Sequence, residues 1–191
     1  EQSGGSAVFA HVSIGDLGFG TYNLSNGTFT TQPRTTNDLC VIGNLENGDF
    51  NQTGGFAFVR SEIHVADSDF ITGNLRIHGG AFFATNDLVA IGRIGIGFMS
   101  VSNALAVLTN TSVARQDGST GTLEVQNGAD LRFVADLSVG RFAGASGQVM
   151  INGGSLAVTD DDLWIGRGGS GSVTVNAGLL QARNLLVAES E

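Results

Sequence analysis

A chain of 191 residues, 41% of them hydrophobic, is long enough to bury a sizeable core as one domain. Its 29 glycines and single proline, with no apolar run near the roughly 18 residues of a membrane helix, exclude a collagen, a disordered tail and a membrane span. The net charge of −9, from 18 acids against nine arginines and no lysine, repels a phosphate backbone and excludes nucleic acid as a partner.

The first stretch, EQSGGSAVFAHVSIG, begins at Glu1 without a methionine or an apolar leader, as expected of a mature chain after signal removal or of a piece of a longer one. It aligns with the middle of the units that follow, so residues 1–19 read as a partial coil. Full units open at Gly20, Gly48, Gly73, Gly97, Gly121, Gly147 and Gly171, 24–28 residues apart. Such self-similarity is weighed before any other fold signal. Each unit starts with a strand pattern, as in GTYNLSNG, GTLEVQNG and GSVTVNAG, with apolar residues at alternate places: Leu75 and Ile77, Leu123 and Val125, Val149 and Ile151, Val173 and Val175. Asn-Gly, Gly-Gly, Asn-Ala or Ala-Gly then bends the chain. A second apolar pair follows, such as Leu131 and Phe133 or Leu156 and Val158. A third short strand ends in Val or Ile before Gly or Ala, at Ile14, Val65, Ile91, Val113, Val139, Ile165 and Val187. The lone Cys40 cannot make an internal disulfide and reads as a buried small apolar residue, so packing alone must hold the fold.

Asn-Gly also serves antiparallel hairpins, but three short strands with glycine corners at a steady period fit one turn of a coil whose equivalent strands stack in parallel. We therefore expect an all-β fold, a single-domain parallel β-solenoid over residues 1–191 with about seven and a half coils and three short strands per coil. The phrase G-x-V-x-V-x-G-G followed by D-L-x-V-G-R and a G-x-x-G spacer, running from about Gly4 to Val187, resembles the repeat of autotransporter passenger regions and of exported PEP-CTERM-type proteins. That resemblance implies export to the bacterial surface or the extracellular space, and no particular activity.

An arginine follows the third strand in four consecutive units, Arg93, Arg115, Arg141 and Arg167, where other units carry Asp16, Asn44, Asp67 and Glu189. Stacked like charges cost energy unless paired. The acids five or six residues upstream, Asp38, Glu62, Asp87, Asp136 and Asp162, are expected to compensate them, leaving a solvated corner; the alternative is an anion-binding or docking stripe. Asp160, Asp161 and Asp162 form the one weak calcium candidate, but the glycine-rich nonapeptide of calcium solenoids is absent and no cofactor is expected. His11, His64 and His78 fall at non-equivalent places, which makes zinc improbable. Catalysis on a coil needs convergent carboxylates walled by long loops, and the single insertion is TTQPRTTND, from Thr30 to Asp38, so no enzyme is expected. The outward places of the first strand, Asn23, Asn51, Arg76, Ser100, Glu124, Met150 and Thr174, make no threonine ladder, which argues against ice binding. A sugar-binding face would use exposed aromatics, yet the 12 phenylalanines read as mostly inward or corner residues, with Trp164 the exception.

Neither end shows a capping helix. Val8, Val12 and Ile14 at the head and Val173, Val175, Leu180, Leu185 and Val187 at the tail are then the residues for head-to-tail self-association. Joining Glu191 to Glu1 leaves about one strand missing, so the seam must be staggered. The sequence thus points to a non-enzymatic extracellular subunit whose partner is itself. The alternatives are a fragment of a passenger or adhesin shaft, and a β-helix protein that binds or cleaves surface or matrix polysaccharide.

Overall fold

The computed structural model describes residues 1–35 and 37–187, and these form one all-β sheet wound into a parallel solenoid of about seven turns. The partial first coil is β1 (Ser6–Phe9) and β2 (Val12–Ile14). Five coils of three strands follow: β3 (Gly20–Leu24), β4 (Thr28–Thr31) and β5 (Cys40–Ile42); β6 (Gly48–Gln52), β7 (Phe56–Phe58) and β8 (Ile63–Val65); β9 (Thr72–Ile77), β10 (Ala81–Ala84) and β11 (Val89–Ile91); β12 (Ile96–Ser102), β13 (Leu105–Leu108) and β14 (Thr111–Val113); β15 (Thr120–Gln126), β16 (Asp130–Phe133) and β17 (Leu137–Val139). The last two coils are continuous bent strands, β18 (Ser146–Ile165) and β19 (Ser170–Val187).

Each strand pairs in parallel with its counterpart one coil on, which makes three flat faces. The first face stacks β3, β6, β9, β12 and β15, the second β1, β4, β7, β10, β13 and β16, the third β2, β5, β8, β11, β14 and β17. β18 and β19 add two further rungs to every face. The unit-opening glycines lie in one register, Gly20 on Gly48 through to Gly147 on Gly171. Space, not a left-handed backbone, demands glycine here. A Cβ on Gly97 would lie 1.9 Å from the Gly92 nitrogen, and one on Gly73 would lie 2.1 Å from the Ile42 carbonyl oxygen. The corner after the third strand is different, because its residue takes positive φ: Gly92 and Gly140 do so without cost, while Ala66 and Ala114 accept φ of 60° and 61°.

Alternate residues of every strand point into the shaft, where Leu75, Ile77, Met99, Val101, Leu123, Val125, Val149 and Ile151 are fully buried. The first coils are packed with rings instead, Tyr22, Phe29 and Phe50 lying 5.1 to 5.4 Å apart. Cys40 is buried among them on the third face, and desolvation pushes its thiol up to about 12, so it behaves as the expected apolar residue. The strand Cys40–Ile42 is a third strand that the sequence pattern passed over, since the long loop before it hides the period. That loop begins only after Thr31, because Thr30 and Thr31 belong to β4.

Candidate functional site

The outward row of the third face runs Ser13, Val41, His64, Ala90, Ser112, Ser138, Trp164 and Leu186, one residue per rung. Val41, His64, Ala90, Ser112 and Ser138 are buried although they point away from the core. Charged residues flank the row on both sides, with the acid column entering the face and the arginine column leaving it. The expected compensation between the two columns is not what forms. Arg93 pairs with Asp67 at 2.6 Å, on its own side of the face, and Glu62 pairs with His64 at 2.9 Å. Among the described residues, Arg115, Arg141 and Arg167 have no carboxylate within ion-pair distance. The acids stand before the third strand and the arginines beyond the corner that follows it, five or six residues along the chain, so the two columns lie on opposite edges of the face. Glu189, which continues the arginine column, lies outside the described residues.

Arg115 and Arg141 instead turn to the Phe142 ring, their guanidinium carbons 5.7 and 5.4 Å from its centroid, and Arg167 lies 4.6 Å over Trp164. Burial, then repulsion from Arg141 and Arg93, holds the Arg115 guanidinium below its ordinary pKa; burial and Arg167 do the same to Arg141. The sequence reading named the arginines but missed Phe142, Ser112 and Ser138. A signal for them existed in the Arg-Phe pair at 141–142 and the serines that recur at the centre of the third strand.

One rung group is charge-paired, although the buried His64 Nδ1 makes no well-formed hydrogen bond. His64 lies between Glu62 and Asp67, 3.3 Å from the latter, and Arg93 closes Asp67 from the next coil. Burial works against the Asp67 carboxylate, but His64 and Arg93 outweigh it and hold its pKa below the ordinary 3.8. A depressed carboxylate adds stability that is present above its unfolded pKa and lost as pH falls through the folded value. Asp67→Asn is therefore expected to cost about 1 kcal/mol at neutral pH after allowance for solvent screening, and to cost nothing in acid below the native titration. Chemical denaturation from about pH 2.5, below the roughly 3.9 of a free Asp, up to about pH 7 checks it; a difference that persists unchanged in acid refutes the assignment.

The acidic cluster differs from the expected set. Asp136, Asp161 and Asp162 bring carboxylate oxygens within 4.8 Å of one another, while Asp160 is held through its carbonyl oxygen, which accepts from Arg183 at 3.1 Å. Asp136 joins from the preceding coil because β18 carries extra residues between Val158 and Asp162, which swing Asp161 toward it. Burial and its two acidic neighbours raise the Asp136 pKa, partly offset by the Asp162 amide that donates to it at 3.2 Å. His11 accepts from the Leu39 amide and His78 bonds Ser100, at separate places along the shaft.

The second face carries outward rings that the sequence reading, which placed the phenylalanines mostly inward or at corners, did not single out. Phe56, Phe58 and Phe83 stand on its outward side, with Phe58 and Phe83 stacked at 5.2 Å. Phe29, Phe50, Phe82 and Phe133 are inward, and Phe19, Phe70 and Phe142 occupy corners, as expected.

Both ends of the described shaft are open sheet edges. β19 pairs only with β18, and β1, β2 and β3 only with β4, β5 and β6, apart from a single bridge from Gln2 to Leu24. At the tail Val175, Leu179, Leu185 and Val187 are exposed, Val187 by 63%, while Val173 and Leu180 are half-buried. At the head the apolar groove is lined by Phe9, Val12, Tyr22 and Phe29. Two head residues sit differently from the sequence expectation: Ile14 is already buried, and Val8 faces outward from the second face rather than along the axis. Gln2 lies on the first face, its amide nitrogen donating to the Gly5 and Thr28 carbonyls as Gln52 does to those of Gly55 and Ala81.

These features define a parallel β-solenoid whose described residues finish at open sheet edges and whose third face carries a row of arginines. No family model, no curated protein and no solved structure matches the chain.

Proposed function

We propose that this protein is a non-enzymatic structural subunit, exported to the cell surface or the extracellular space, whose copies stack head-to-tail into a fibre. The observation that carries the reading is the pair of open ends. Within the described residues each edge exposes a coil of unpaired backbone donors and acceptors beside large apolar side chains, an arrangement that natural sheets seldom leave unprotected. β-Augmentation satisfies both needs, continuing the hydrogen-bond ladders and the core rows together. The contact is heterologous, tail on head, so an open filament results. The second and third faces have eight rungs each and the first has seven. A seam that matches the second and third faces therefore needs one more partial rung on the first, and Gln2 already occupies its end. Export rests on the repeat resemblance described above.

Electron microscopy of the purified chain is expected to show filaments with an axial repeat of roughly 35 to 40 Å, from about eight layers at ~4.8 Å each. Val187→Lys, which places a charge in the seam, is expected to give short or monomeric species in sedimentation. Strictly monomeric particles at high concentration overturn the fibre and leave the alternative, in which neighbouring repeats of a longer passenger shaft cover both ends.

A further inference from the structure

The third face carries an unmet demand for acceptors. Two neighbouring guanidiniums, Arg115 and Arg141, offer five N–H groups each, and their one side-chain hydrogen bond among the described residues is a long contact of 3.4 Å from Arg141 to the Ser112 hydroxyl. Nη1 of Arg115 is shut off from solvent without any acceptor, and so is the hydroxyl of Ser138, which is 0% exposed and stands next to Ser112 on the same ladder. Stacking on Phe142 does not relieve this, because a ring engages the face of a guanidinium while its N–H bonds lie in the plane. The nearest compensating charges, Glu62 for Arg115 and Asp136 for Arg141, act only at a distance, and the first is committed to His64.

We propose that Arg115 and Arg141, with the hydroxyls of Ser112 and Ser138, form an oxyanion-binding site for a single sulfate or carboxylate group, either as the free ion or carried on an acidic polysaccharide. An oxyanion supplies what is missing: a negative charge between two like-charged neighbours, and several lone pairs that in-plane N–H groups meet in a fork. The Ser138 hydroxyl rotates to donate its proton to the anion. Charge on the whole chain sets the scale of ligand. At −9 the protein draws no polyanion along its length, so even on a polymer only the one group that reaches the two arginines is held, by local geometry and with weak, salt-sensitive affinity. The inference is independent of the fibre, since the site lies on the side of the shaft.

The test titrates sodium sulfate against sodium chloride at equal ionic strength, following the thermal midpoint and, in parallel, the heat of binding. We expect a saturable sulfate-specific rise with a dissociation constant on the order of 1 mM, weakened about tenfold or more in Arg115→Gln and in Arg141→Gln, and unchanged in Arg60→Gln, an exposed arginine elsewhere on the shaft. Sulfate also stabilises proteins non-specifically by exclusion from their surface. That effect climbs without saturating and is equal in all variants, and finding it alone overturns the proposal. In chloride, the glutamine variants are expected to match or exceed the parent in stability, because each removes a repelled, poorly bonded charge; a large loss there marks the arginines as structural props and likewise overturns it. A sulfated oligosaccharide and a polyuronate, compared with the free ions at equal anion concentration, separate the sources: tighter binding assigns the polymer-borne group, equal binding the free ion.

Discussion

Ile151→Asp is expected to unfold the C-terminal half of the shaft. Ile151 is fully buried and lies between Val125 and Val175 on the inward row of the first face. A carboxylate there has no cation to meet, since its row neighbours on either side are Val125 and Val175, and an unpaired buried charge costs several kcal/mol even when it takes up a proton to avoid ionisation. We expect a loss of about 4 kcal/mol or more. In a solenoid each coil contacts only its neighbours, so the damage should spread coil by coil rather than melt the whole chain at once. Hydrogen exchange should accordingly show loss of protection in β15, β18 and β19 before β3 and β6. The control is Thr174→Asp, one residue from the same row but exposed, for which a change within about 0.5 kcal/mol is expected. Equal stability of Ile151→Asp and the parent in urea unfolding would contradict the assigned register.

Gly97→Ala is the second large effect, and it arises from one methyl group. The added carbon would stand 1.9 Å from the Gly92 nitrogen and 2.6 Å from its Cα, both backbone atoms that a change of rotamer cannot move. Either the corner between the third and first faces opens or the rung loses its register with Gly73 and Gly121. Overpacking of this kind costs about 1–3 kcal/mol where side chains can give, and the upper end or beyond is expected where only backbone is met. Gly18→Ala is the comparison, because nothing lies within 4 Å of its added carbon and its φ is not positive. That change should be neutral, or stabilise by a few tenths of a kcal/mol through the unfolded chain. Thermal unfolding of the two variants side by side checks the argument; similar midpoints would show that the glycine column is not a spacing device.

Much of this was legible before any coordinates. Apolar alternation at Leu75 and Ile77 or Leu123 and Val125 marked the buried row, and the seven unit-opening glycines fell into one register because each occupies the same corner. The strand Cys40–Ile42 escaped notice, since the loop before it stretches that coil and breaks the spacing by which the other third strands were found. At the sites less was legible. The arginine column was seen, but its partners were misjudged, and Phe58 and Phe83 proved to be outward because the parity of a short strand turns on where its corner ends.

The sequence alone determined the solenoid: a period near 24 residues, glycine where backbones must touch, and alternation that places one side of every strand inside are local or strictly repeated constraints, and repetition adds them coherently over seven coils. Tertiary structure decided what each charge meets. Whether Arg93 finds Asp67 while Arg115 and Arg141 find only Phe142 and a serine depends on the width of the third face and on contacts between successive coils. Such distances run across the chain, and residue spacing along it does not encode them.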